Sequence, residues 1–271
     1  MAEVILASEC DVVNEVICAP AEVTDLFEFT DPWFTVGSFQ FTRTSFLIFL
    51  AAFIVIALLY FGLRRGQLVP KKFELVMESA VGFVRDGIGR DVIGPEGTKY
   101  VPYLLALFLF ILVGNLFEIT PLINFPIFSR MALPLFLSLV TYVIFVILGF
   151  KKNGFRYVTA TVWPKAVPIG LRWLVGLIEL VSIFLLRPLT LAVRLFANMV
   201  AGHLMLTLLL GSGVIFLAAA PDIGLKASIG VFWFALGLFM FLLELLVAVL
   251  QAYIFTLLSA IYIESSIHLE H

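Results

Sequence analysis

Charge is scarce in this sequence. Only 13% of its 271 residues are Asp, Glu, Lys or Arg, against 62% that are hydrophobic. A soluble domain of that length needs far more polar surface, so the composition excludes one. Alternation of apolar and polar residues is missing too, which excludes a membrane β-barrel. What remains is a set of membrane-crossing helices, the other architecture that satisfies every backbone polar group in lipid. Lys and Arg are absent from the first 42 positions. A signal peptide needs a positive start and a mitochondrial presequence needs arginines, so neither is expected there. Cysteine is rare, with Cys10 and Cys18 alone. Both fall in that first stretch, and their spacing leaves a disulfide open. Two cysteines and three scattered histidines offer no metal-ligand spacing. No glycine-rich phosphate loop occurs. Neither a metal, a cofactor, a bound nucleotide nor a nucleic-acid partner is expected.

What is present is a series of long apolar runs. Spans are expected at about Phe46–Leu63, Tyr103–Ile123 and Met131–Phe150, then across Leu171–Ala220 and Ser228–Ile263. The fold class is therefore an all-α membrane protein with five membrane segments. Residues 1–42, with Glu3, Glu9, Asp11, Glu15, Glu22, Asp25, Glu28 and Asp31, form an acidic tail; residues 43–271 form a single multi-pass domain. Lys and Arg crowd the loops after the first and third spans, from Arg64 to Lys99 and from Lys151 to Arg172. The positive-inside rule then sets the N-terminus outside and the C-terminus in the cytoplasm. Between the first two spans, Phe73, Val76, Met77, Ala80, Val81 and Val84 recur at helical spacing among charges. That pattern predicts an amphipathic helix on the cytoplasmic surface.

The last two runs are too long. About 20 residues cross the roughly 30 Å hydrocarbon layer. Each run must break or lie steeply oblique, and tilts beyond about 40° need a partner surface. Pro188 and Gly211-Ser212-Gly213 are candidate bends.

Arg194 is the most informative residue. Its helical neighbours Thr190, Leu191, Ala197 and Asn198 include no carboxylate. A charge at bilayer depth costs about 2.5–3.5 kcal/mol on insertion scales, so an ion lacking a local partner points to function. The two long segments run antiparallel, so facing residues should have position numbers with a constant total. His203 and Glu244 add to 447, Asn198 and Gln251 to 449. These four form a candidate proton inlet, since Glu and His exchange protons while Asn and Gln hold waters. Glu179 lies fifteen positions before Arg194, about 22 Å along a helix. With Ser182 it forms a candidate second path. Arg194 would separate the two, because its guanidinium does not deprotonate.

Plainer readings stay open at this level. His203 and Glu244 could be a structural pair, and Asn198 and Gln251 hydrogen-bonding glue between helices. Glu118, near Asn115, reads as a snorkelling or packing group. A secondary transporter with a mid-membrane site would need inverted repeats, and no convincing repeat is visible. A structural anchor would tolerate loss of Arg194.

The run Arg187-Pro188-Leu189-Thr190-Leu191-Ala192-Val193-Arg194-Leu195-Phe196-Ala197-Asn198-Met199-Val200-Ala201-Gly202-His203 resembles the signature of the subunit a family of F-type ATP synthases. Glu244, Leu250-Gln251-Ala252-Tyr253-Ile254-Phe255 and Gly114-Asn115-Leu116 share the resemblance. It implies a non-catalytic, ion-translocating stator. In that family, two long tilted helices, here within residues 171–263, face a ring of c subunits. Protons reach and leave the ring carboxylates through two offset half-channels, coupling the gradient to ATP synthesis. The essential arginine matches Arg194, the inlet residues Asn198, His203, Glu244 and Gln251, and the outlet carboxylate Glu179. The implied partners are the c-ring, peripheral-stalk b subunits and membrane lipid; the implied location is the inner membrane of the cell.

Overall fold

A computed structural model of the chain describes residues 16–18, 34–36, 39–63, 72–120, 123–155, 157, 169–219, 224 and 227–268. Much of the acidic tail, including Cys10, lies outside them, as do the basic loop residues Arg64, Arg65, Lys71, Arg156 and Lys165. Two short antiparallel strands, β1 (Phe34–Val36) and β2 (Phe39–Phe41), pair Phe34 with Phe41. All other regular structure among the described residues is helical: α1 (Arg43–Leu63), α2 (Lys72–Val84), α3 (Val101–Ile119), α4 (Ala132–Asn153), α5 (Ile169–Val181), α6 (Arg187–Ala218) and α7 (Ala227–Ile267). A π-helical segment, Arg85–Ile93, and a 3-10 turn, Pro95–Lys99, join α2 to α3.

Five helical runs are long and apolar enough to cross a membrane, and the chain is a multi-pass membrane protein. Three have ordinary lengths of 20, 19 and 22 residues. The other two run 48 residues, from Leu171 to Ala218, and 41 residues, Ala227–Ile267. At 1.5 Å per residue these are about 72 and 62 Å long, twice a bilayer core. Neither candidate bend interrupts the helical run. Ahead of Pro188 the helix widens instead, into the π-turn Ser182–Leu186, where the Arg187 N–H donates to the Ser182 carbonyl. The wider turn gives room for a proline ring that would otherwise clash with the carbonyl four residues back. Gly211-Ser212-Gly213 stays inside α6. α3 ends at Ile119, short of the expected Ile123, because Pro121 excludes its preceding residue from helix.

The chain divides into two compact units. One comprises Met1–Phe49, Gly114–Ser129 and Ala197–Leu250. In it, the two longest helices run antiparallel at close range. A Cβ on Gly213 would lie 2.7 Å from the Phe234 backbone nitrogen, one on Gly230 would meet Phe216 at 2.8 Å, and one on Gly237 would meet Leu210 at 2.6 Å. Position numbers in each facing pair add to 446 or 447, the register that His203 and Glu244 require. Glycines let the backbones approach, as small residues do between membrane helices. Loop residues Phe125, Ile127 and Phe128 are fully buried here. Phe128 donates its N–H to Met199 Sδ at 3.0 Å. Arg43 donates to the Ile123 carbonyl at 2.9 Å and stacks over Phe125. A Cβ on Gly114 would overlap the Phe128 ring. Gly114→Ala should therefore destabilise the protein by roughly 1–3 kcal/mol, the usual effect of overpacking. Gly82→Ala, with no atom within 4 Å, serves as the control. Melting of the detergent-purified protein checks this; equal midpoints would contradict it.

The tail is anchored in this unit. Cys18 is disulfide-bonded, and the chain's other cysteine is Cys10. The Cys18 N–H donates to Ser212 Oγ at 3.0 Å, and Ser212 Oγ donates back to the Cys18 carbonyl at 3.2 Å. Trp233 Nε1 donates to the Val16 carbonyl at 2.8 Å.

The second unit comprises Leu50–Val113, Arg130–Phe196 and Gln251–His271. Its core gathers Leu104, Ile111, Phe145 and Phe255. Hydroxyls in α7 spend their hydrogen bonds on their own helix: Thr256 on Ala252 and Ser259 on Phe255. That removes the cost of burying them. Asn153 caps the far end of α7 by donating to the Ser266 carbonyl at 2.9 Å. α2 is amphipathic as expected, but its apolar residues divide. Met77 and Val84 are buried, Met77 against Gly62, whereas Phe73 and Val76 face outward. A helix with protein on one side and lipid on another needs both stripes apolar.

Candidate functional site

In the first unit, the ionisable residues cluster. His203 on α6, Glu244 on α7 and Glu118 on α3 are all buried, none more than 8% exposed. Gly202 makes the space: a Cβ there would overlap the Glu244 carboxyl group. His203 Nδ1 lies 3.9 Å from Glu118 Oε1. That oxygen is buried and accepts no hydrogen bond among the described residues. Asn115, one helical turn before Glu118, donates to the Ala248 carbonyl at 3.0 Å and ties α3 to α7. An imidazole beside a buried carboxyl group, with a second buried carboxyl against the neighbouring Gly202, is a set of groups that can take up and release protons. Each group is costly to bury unless paired or neutralised, so this is chemistry that apolar packing alone would not retain.

Sequence reasoning brought His203 and Glu244 together and set Glu118 aside. At 3% exposure Glu118 does not snorkel. Its i,i+3 spacing from Asn115, with Gly114 ahead, was the available signal. Asn198, also in this unit, faces outward on α6. Ser212 bonds the tail, accepting from the Cys18 N–H and donating to the Cys18 carbonyl.

In the second unit, Arg194 is exposed on α6 between the fully buried Leu191 and Leu195, so apolar packing sets the helix face and leaves the guanidinium outside. It forms no ion pair among the described residues. Arg187 contrasts with it, donating to Ser265 Oγ at 3.0 Å and stacking over Tyr262 at 5.1 Å. Glu179 and Ser182 are half-buried, Glu179 on α5 and Ser182 in the π-turn. Gln251 is buried on α7.

These features define a polytopic membrane protein that keeps acid–base groups in its interior and an exposed cation on a spanning helix. The sequence profile of the family described as ATP synthase A chain matches residues 45–264. ATP synthase subunit a of Pseudarthrobacter chlorophenolicus is 40% identical over 240 residues, covering 88% of this chain and 89% of the relative. That of Paenarthrobacter aurescens is 42% identical over 232 residues, 85% and 86% of the two chains. That of Frankia alni is 38% identical over 249 residues, 89% and 84%. The chain belongs to the ATP synthase A chain family, and so to the membrane sector of an enzyme of proton transport and ATP synthesis.

Proposed function

We propose that this chain is the proton-conducting stator of an F-type ATP synthase, with two offset half-channels serving the carboxylates of a rotating c-ring. The observation that carries the reading is the exposed Arg194, without an ion pair among the described residues. A membrane-depth cation of this kind needs an anion on another molecule. Small neighbours on its face, Ala197 and Ala201, let another helix approach. Asn198, His203, Glu244 and Gln251 form the inlet, with Glu118 added beside His203. Glu179 and Ser182 form the outlet. Arg194 keeps the two apart, because it attracts a ring carboxylate without passing its own proton.

Residues 43–271 act as one membrane domain in this reading, and peripheral-stalk b subunits and lipid complete its surroundings. The bonded Cys18 favours an oxidising compartment for the N-terminus, outside the cytoplasmic membrane. The Lys and Arg bias favours the opposite side for the C-terminus. Purification through a tag on this chain in mild detergent tests the assignment. It should recover a small two-helix proteolipid and nucleotide-binding subunits. A chain that purifies alone and takes up solute in vesicles would instead be a secondary transporter.

A further inference from the structure

The tail anchorage has no part in proton passage, yet its position is specific. Ser212 is fully buried, and its hydroxyl both donates to and accepts from the backbone of Cys18. Two bonds to one peptide segment, plus the indole bond to Val16, make a socket. In an antiparallel helix pair, the residue just before each facing residue points to the same flank. Ser212 precedes Gly213, Trp233 precedes Phe234, and Gly213 faces Phe234. The segment Val16–Cys18 therefore crosses one flank of the hairpin from α7 to α6.

That flank is identifiable. Asn198, Ala201, Met205 and Ser212 recur at i, i+3, i+7 and i+14, a single helix face. The first three are exposed, and exposure on this face stops where the tail covers Ser212. The segment turns Cys18 inward at 5% exposure and leaves Val16 59% and Ile17 39% exposed. Among the described tail residues, Val16 and Ile17 thus present apolar side chains on the flank that also bears the exposed Asn198, Ala201 and Met205, and they continue that surface rather than start a separate one.

We infer that Val16–Cys18 is a strap that extends the ring-facing surface outward, with Val16 and Ile17 bearing on the outer rim of the c-ring. The inference rests on the reading that the Asn198 face meets the ring.

Photo-cross-linking in the assembled complex tests it. Benzoylphenylalanine is placed at Val16, at Asn198, or at Leu242 on the opposite flank of α7, and membranes are irradiated. Ring-subunit adducts are expected from Val16 and from Asn198, and none from Leu242. Ser212→Ala removes both hydrogen bonds to Cys18, so it should lower the Val16 adduct at least about fivefold, the factor that one ordinary hydrogen bond alone supplies, and leave the Asn198 adduct unchanged. A ring adduct from Asn198 with only lipid or no adduct from Val16 overturns the strap and spares the ring assignment. No ring adduct from either position overturns both. An unchanged Val16 adduct in Ser212→Ala overturns the socket as what places the strap.

Discussion

Arg194→Ala should abolish proton-driven ATP synthesis in membrane vesicles while the complex still assembles. Leu191 and Leu195, both 1% exposed, hold this part of α6 by packing, so the guanidinium is not needed for the helix to seat. Removing a charge from a membrane helix makes insertion easier, by about 2.5–3.5 kcal/mol. In the proposed reading the loss then comes from the partner side: a ring carboxylate that forfeits about 3 kcal/mol of stabilisation would pass position 194 roughly 150-fold less often. Arg194→Lys should recover little: an ammonium is a compact point charge whose pKa shifts readily on burial, so it can lose the proton that the barrier depends on holding. The measurement is ATP formed after an imposed pH gradient, with ring recovery monitored in parallel. Synthesis above a tenth of the parent level, in an assembled complex, ends the half-channel reading.

Glu118→Gln and His203→Ala should each slow ATP-driven proton pumping by about 100-fold or more, the ordinary contribution of a positioned acid–base group. The double variant should be little worse than either single one. Groups that act in series share one function, and removing a second link from a broken relay changes little. Neighbouring packing residues would behave differently, with losses that multiply and melting temperatures that fall. Fluorescence quenching by acidified vesicles gives the rates, and thermal melting separates the two cases. The 3.9 Å between His203 Nδ1 and Glu118 Oε1 makes the pair the sharpest place to look for this coupling.

Both experiments turn on residues that differ in how readily the sequence disclosed them. Arg194 was legible because a charge in a long apolar run is anomalous wherever the chain folds. His203 and Glu244 were legible through antiparallel register, and the glycine contacts at Gly213, Gly230 and Gly237 bear that register out. Glu118 was not. A carboxyl five positions before the expected end of a spanning run, Ile123, reads equally well as snorkelling, and only burial against His203 separates the two. The tail was silent for a similar reason: nothing in a stretch of scattered acids says that a buried serine two hundred residues away will hold one of its peptides.

The amino-acid sequence by itself determined the helical membrane class, the five spans, their excess length and the stranded guanidinium. These follow from apolar periodicity and from the cost of charge in lipid, which act on local sequence. Tertiary structure alone decided the company each polar group keeps. It absorbed Pro188 in a π-turn, drew Glu118 beside His203, made room for the Glu244 carboxyl at Gly202, and seated Cys18 on Ser212. Those contacts join positions far apart in the chain, and only close packing brings them within reach of one another.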